Sequence, residues 1–221
     1  MTAQPIQASL DTALLALRAI LPPGFAAIGA LADETLPIPT ADRKLVQEAS
    51  PHRRAEFVAG RWCAHQALRA VGFSAAHLPC GRLGAPTWPI GALGSITHDA
   101  GYCLAVAGPA AALAGIGVDW CDDNNLGNIL ELADQVLAQS ECGNFARAPD
   151  PARHLQRVFC AKEAVVKAAS ASVARFVELS EIAIDGDSDA FVARISGHSL
   201  LIRGTHISVQ THALAWAVLP A

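Results

Sequence analysis

The 221 residues are 52% hydrophobic and 16% charged, with a formal charge of −4, a sequence pI near 6.0 and a mean hydropathy of +0.32. That much apolar material excludes a disordered chain, which needs low hydrophobicity and high net charge. The acidic balance excludes a general electrostatic grip on DNA or RNA, so any bound anion must be held by a local group of basic residues.

No stretch supplies the roughly 20 consecutive apolar residues of a membrane-spanning helix. The first apolar run, from Leu10 to Arg18, has no basic leader and is interrupted by Asp11 and Arg18, so it predicts an amphipathic helix rather than a signal peptide. Pro22-Pro23-Gly24 ends that helix, and a short strand and loop fill the segment to Pro39. Thr40 predicts a cap for a helix over 41–49, and Ser50-Pro51 a cap with proline at the first helical position. The second helix runs to about Gly72, with Phe57, Val58, Trp62 and Leu68 at core spacing. A Gly- and Pro-rich stretch over 73–95 follows. Three strands come next, at Ser95–His98, Tyr102–Ala107 and Gly115–Trp120, with turns at Asp99-Ala100-Gly101 and Gly108-Pro109. The second half repeats the order, with helices near 126–140 and 151–170 and strands near 181–185, 190–195, 206–210 and 213–218. Helices then strands, twice, give an α+β fold of two lobes, 1–108 and 109–221.

Six cysteines, Cys63, Cys80, Cys103, Cys121, Cys142 and Cys160, are scattered with no C-x-x-C pair. They read as buried free thiols of a reducing cytoplasm rather than a disulfide frame or a zinc site.

Four stretches offer chemistry, and each has an ordinary structural reading beside it. In Phe159-Cys160-Ala161-Lys162-Glu163-Ala164-Val165-Val166-Lys167, Glu163 and Lys167 share a helix face. Alone they are also an exposed i,i+4 pair worth roughly 0.2–0.5 kcal/mol. Gly115-Ile116-Gly117-Val118-Asp119 ends an apolar strand on an acid that can ligate a hard cation or cap a turn. Ser95-Ile96-Thr97-His98 sets a hydroxyl beside a histidine at a strand end, although neighbouring strand residues point to opposite faces. Arg54 and Arg61 lie two helical turns apart and share a face, as phosphate ligands or as a solvated charged side.

Their order and combination over about 40–220 resemble the 4′-phosphopantetheinyl transferase superfamily in its two-lobed single-chain form, on the enterobactin synthase component D side. The blocks are Arg54 to Arg61, Trp88-Pro89-Ile90-Gly91 running into Gly94 to His98, Gly115 to Asp119, and Phe159 to Lys167. The resemblance implies two similar lobes about a pseudo-twofold, each a helix on a small antiparallel sheet, with coenzyme A in the cleft. It implies transfer of the phosphopantetheine arm to a serine of an acyl, peptidyl or aryl carrier protein of siderophore, peptide or polyketide synthesis. The implied protein is a cytoplasmic monomer with no nucleic acid or membrane partner. Carried over by position, Asp119 and Glu163 hold Mg²⁺, and Glu163 or a water takes the serine proton. Lys162 and Lys167 meet the pyrophosphate, and Glu141 is a second base candidate. Thr97 and His98 bind the 3′-phosphate with Arg54 and Arg61.

Two departures stand out. Cys121 occupies the place where relatives often carry a second acid, and a thiol is a poor magnesium ligand. Asp122 is out of phase with Asp119 on an extended strand, and Asp123 is in phase but farther away. Gly84-Ala85-Pro86 lacks the basic residue that relatives carry before the proline, for which Arg82 is a substitute. Two rival readings follow: a coenzyme A or carrier-protein binding module that has lost transfer, and an enzyme using Cys121 or Cys160 as nucleophile with His98.

Overall fold

Ser50 accepts the backbone N–H of Arg53 at 3.3 Å and Pro51 takes the first helical position, so the long helix of the first half starts where those two residues dictate. The structure, a computed structural model, describes residues 3–81, 84–122, 129–173, 175–186, 189–209 and 212–221. They fall into two compact units, Met1–Ala111 and Ala112–Ala221.

The first unit contains α1 (Ala3–Ile20), β1 (Ala26–Leu31), α2 (Thr40–Lys44), α3 (Pro51–Ala70), β2 (Ala92–Asp99) and β3 (Tyr102–Pro109). Its strands form an antiparallel sheet in the order β1-β3-β2. Ala100 and Gly101, both at positive φ, make the tight β2–β3 turn. Small residues on one side of α3, Ala59, Cys63, Ala64 and Ala67, pack on the alternate residues Cys103, Ala105 and Ala107 of β3. Phe57 and Trp62 are only half-buried, whereas Val58 and Leu68 are fully inside. Helix α2 ends at Lys44, five residues short of the expected span, and its Asp42 turns inward. Its carboxylate meets His65 Nε2 at 2.6 Å and accepts the Leu78 N–H at 2.8 Å, stapling α2 to α3.

The second unit begins with β4 (Leu113–Asp122) and continues through α4 (Ala133–Val136), α5 (Cys142–Ala146) and α6 (Pro151–Val173). The strands β5 (Ile182–Asp185), β6 (Ala190–Ile195), β7 (Leu201–Val209) and β8 (His212–Pro220) follow. The sheet is antiparallel in the order β4-β8-β7-β6-β5, with α6 covering one face. The helix expected near 126–140 is broken into a 3₁₀ turn and α4 among the described residues, and β7 starts five residues before its expected position. The α+β reading therefore holds in each unit, but the sheets have three and five described strands.

Two glycines set the distance between α6 and its sheet. A Cβ on Gly115 would lie 1.8 Å from Ala168 O, and one on Gly117 1.8 Å from Ala164 O. Only hydrogen at those positions lets the helix backbone rest on β4. Gly117→Ala is expected to lower stability by about 1–3 kcal/mol or more, as overpacked cores do. Gly143→Ala, where the nearest outside atom is the flexible end of Arg147 at 3.5 Å, is expected to be neutral. Comparing the thermal unfolding midpoints of the two variants checks the contrast.

Candidate active site

Along β4 the side chains alternate, and Gly115, Gly117, Asp119 and Cys121 share the side that faces α6. Because the glycines draw the helix in, Lys167 reaches the strand. Its Nζ donates to Asp119 Oδ1 at 2.6 Å and to Val118 O at 3.0 Å. Glu163, half-buried, stands one helical turn before Lys167 on the same side of α6. Burial raises its carboxyl above the ordinary value, the Asp119 charge raises it further, and Lys167 opposes both. Burial also works against the Lys167 ammonium. Asp119 and Glu163 outweigh that penalty and hold Lys167 above its ordinary value. The three charges thus act on one another.

Two carboxylates against one ammonium leave a net negative locus lined by oxygen donors. That donor set fits a hard cation such as Mg²⁺, which takes one or two carboxylates and completes its shell with phosphate oxygens and water. The third group on this face is soft. Cys121 Sγ donates to Asp119 Oδ2 at 3.3 Å, and Cys160 Sγ donates to the Asp119 carbonyl at 3.3 Å. Asp122 points the other way, in register with His212 and 3.5 Å from its Nε2. Asp123 and Arg82 lie outside the described residues.

The cysteine-nucleophile reading finds no support in these thiols. Hydrogen bonding with Cys160 and burial push the Cys121 thiol up, and burial pushes Cys160 up. A nucleophilic cysteine needs the opposite shift.

Lys162 and Glu141 pair with each other. Lys162 is wholly buried, and its Nζ donates to Glu141 Oε2 at 2.5 Å and to Val136 O at 2.6 Å. Its ammonium is therefore enclosed by the protein's own acceptors. Burial lowers its pKa against the opposing pull of Glu141. Glu141 is equally occupied, since Oε2 also accepts the Ala138 N–H and Oε1 the Ile184 N–H, each at 2.8 Å. Both of its oxygens are engaged and only 5% of the residue is exposed, so it braces Lys162 and two backbone amides. The spacing held a signal for this. Lys162 falls four after Val158 and three before Val165, within the buried stripe of α6.

In the first unit the structure gathers a different set from the one expected. Gly60 faces Ile96 on β2, so Arg53, two turns earlier on α3, meets the next residue on that strand face, His98. Arg53 Nη1 lies 2.8 Å from His98 Nε2, and His98 Nδ1 lies 3.4 Å from Glu56 Oε1. The sequence reading missed Arg53 and Glu56, although their i,i+3 spacing on α3 was the available signal. Thr97 is buried on the opposite face of β2 from exposed His98, so the two side chains are no pair. Arg54 is held by Glu34 Oε2 at 3.1 Å and the Ala49 carbonyl at 2.8 Å. Arg61 is buried, with its guanidinium 4.8 Å from the Phe57 ring and Nη2 donating to Cys80 Sγ at 3.4 Å. Its Nε and Nη1 have no hydrogen-bond partner among the described residues.

Family models match both units. A 4′-phosphopantetheinyl transferase N-terminal domain matches residues 41–108, and the 4′-phosphopantetheinyl transferase superfamily matches 115–217. The chain is 34% identical over 175 residues to 4′-phosphopantetheinyl transferase PptT of Mycobacterium tuberculosis (strain ATCC 25618 / H37Rv), covering 78% of this chain and 75% of that protein. It is 33% identical over 181 residues to 4′-phosphopantetheinyl transferase Npt of Nocardia iowensis, covering 79% and 80%. Enterobactin synthase component D of Salmonella typhi is 36% identical over 136 residues, covering 60% of this chain and 54% of that protein. The chain is an enzyme that belongs to the 4′-phosphopantetheinyl transferase superfamily.

Proposed function

We propose that this transferase moves the 4′-phosphopantetheine arm of coenzyme A onto a serine hydroxyl of an apo acyl, peptidyl or aryl carrier protein. The serine oxygen bonds to the phosphorus that carries the pantetheine, the bond from that phosphorus to the bridging oxygen breaks, and adenosine 3′,5′-bisphosphate leaves. The observation that carries this reading is the Asp119–Lys167 ion pair where β4 touches α6, with Glu163 one turn before Lys167 on the same helix.

Asp119 and Glu163 would hold Mg²⁺, which when bound neutralises charge on the diphosphate. Lys167, kept protonated by Asp119, donates toward the diphosphate oxygens, where negative charge grows as the leaving group departs. Glu163, or a water it polarises, takes the serine proton, and burial makes its carboxylate more basic for that task. The first unit supplies the groups for the 3′-phosphate. Arg53 and His98 stand together, Arg61 keeps two buried nitrogens without an acceptor among the described residues, and Arg54 can exchange its exposed Glu34 partner for an anion. Carrier proteins of siderophore, nonribosomal peptide or polyketide synthesis are the proposed acceptors.

Incubation with coenzyme A, Mg²⁺ and a panel of apo carrier proteins, read by intact mass, tests the reading. The expected result is a gain of one phosphopantetheine arm on a carrier serine, abolished by a chelator. Coenzyme A binding with no mass gain on any carrier would favour the binding-module reading instead.

A further inference from the structure

Among the described residues, Asp119, Cys121 and Cys160 place one ligand atom each within 4.8 Å of one another. The set is buried and joins β4 to α6. Cys121 Sγ is already 3.3 Å from Asp119 Oδ2, while Lys167 occupies the other oxygen, Oδ1. Bond lengths of about 2.3 Å to sulfur and 2.0–2.2 Å to oxygen put tetrahedral donors roughly 3.3–3.8 Å apart. The three atoms therefore need to shift by only about 1 Å to share one ion, and Cys121 already meets the Asp119 oxygen that Lys167 does not hold. Two sulfurs and one carboxylate oxygen suit a borderline-soft ion and not Mg²⁺.

We propose that Cys121, Cys160 and Asp119 form a site for a Zn²⁺-class ion, with water in the fourth position. On binding, each thiol yields its proton to solvent, so one ion displaces two protons and forms two metal–sulfur bonds with no redox change. The geometry stands without the transfer reading. Its consequence, that Zn²⁺ inhibits by taking Asp119 Oδ2, rests on it.

Co²⁺ is the probe, added to the full chain with the exposed Cys80 and Cys142 changed to alanine, so that the surface thiols give no signal. The expected result is thiolate-to-cobalt charge-transfer absorption saturating at one equivalent and bleached by Zn²⁺. It is lost in Cys121→Ser and in Cys160→Ser, with circular dichroism confirming the fold. Should Cys160→Ser fail to fold, loss of the band in Cys121→Ser alone carries the result. No band in the parent chain, or a band that survives Cys121→Ser, overturns the proposal. If the band appears as expected but Zn²⁺ leaves carrier modification untouched, the soft site stands and the role given to Asp119 in transfer falls.

Discussion

Asp119→Asn is expected to lower carrier modification by about a hundred- to a thousandfold, a barrier increase of roughly 3–4 kcal/mol. The substitution keeps the size of the side chain and removes its charge. That charge serves two neighbours, since Oδ1 holds the Lys167 ammonium and the carboxylate is one of the two proposed for the cation. Stability should also fall, by about 1–3 kcal/mol, because a charge-assisted bond at a largely buried carboxylate is lost. Glu163→Gln separates the two effects. It leaves the Asp119–Lys167 pair intact, so activity should drop to a similar degree. The folded state holds the Glu163 carboxyl above its ordinary value, so its ionised form is disfavoured at neutral pH relative to the unfolded chain. In chelator, the unfolding midpoint of Glu163→Gln should therefore equal or exceed the parent value while that of Asp119→Asn falls. Full activity in Glu163→Gln would remove it from the site.

Glu141→Ala is expected to destabilise the protein by about 3–5 kcal/mol, the usual consequence of stranding one member of a buried ion pair. Lys162 would keep only the Val136 carbonyl for a fully buried ammonium, and the Ala138 and Ile184 amides would lose their acceptor. Lys162→Met should cost less, since Glu141 retains two backbone donors. Molecules of Lys162→Met that fold should modify carrier protein within a fewfold of the parent rate. Urea unfolding and the mass assay on the soluble fraction measure both quantities. A stable Lys162→Met that has lost transfer would return this lysine to the diphosphate.

How much of this was legible beforehand varies with the range of the interaction. Ser50-Pro51 announces α3 because a cap and a fixed φ act within one turn. The pairing of Gly115-Ile116-Gly117-Val118-Asp119 with the Lys167 helix was implied by the family resemblance, and the close approach that the two glycines permit emerged in the fold. The burial of Lys162 against Glu141 was not legible from its neighbour Glu163. A helix turns by about 100° per residue, so adjacent charges diverge into core and site. The same rotation gives His98 to Arg53 and sends Arg54 to Glu34.

Signals within the chain fix the Ser50-Pro51 start of α3 and the Ala100-Gly101 turn, and they show which residues carry charge. The meetings of Asp119 with Lys167, Lys162 with Glu141 and Arg53 with His98 span 48, 21 and 45 residues and arise from packing between elements. Capping, turns and periodicity are set by neighbours in the chain. An ion pair of long reach is set by how closely two elements pack, and that distance belongs to the folded whole.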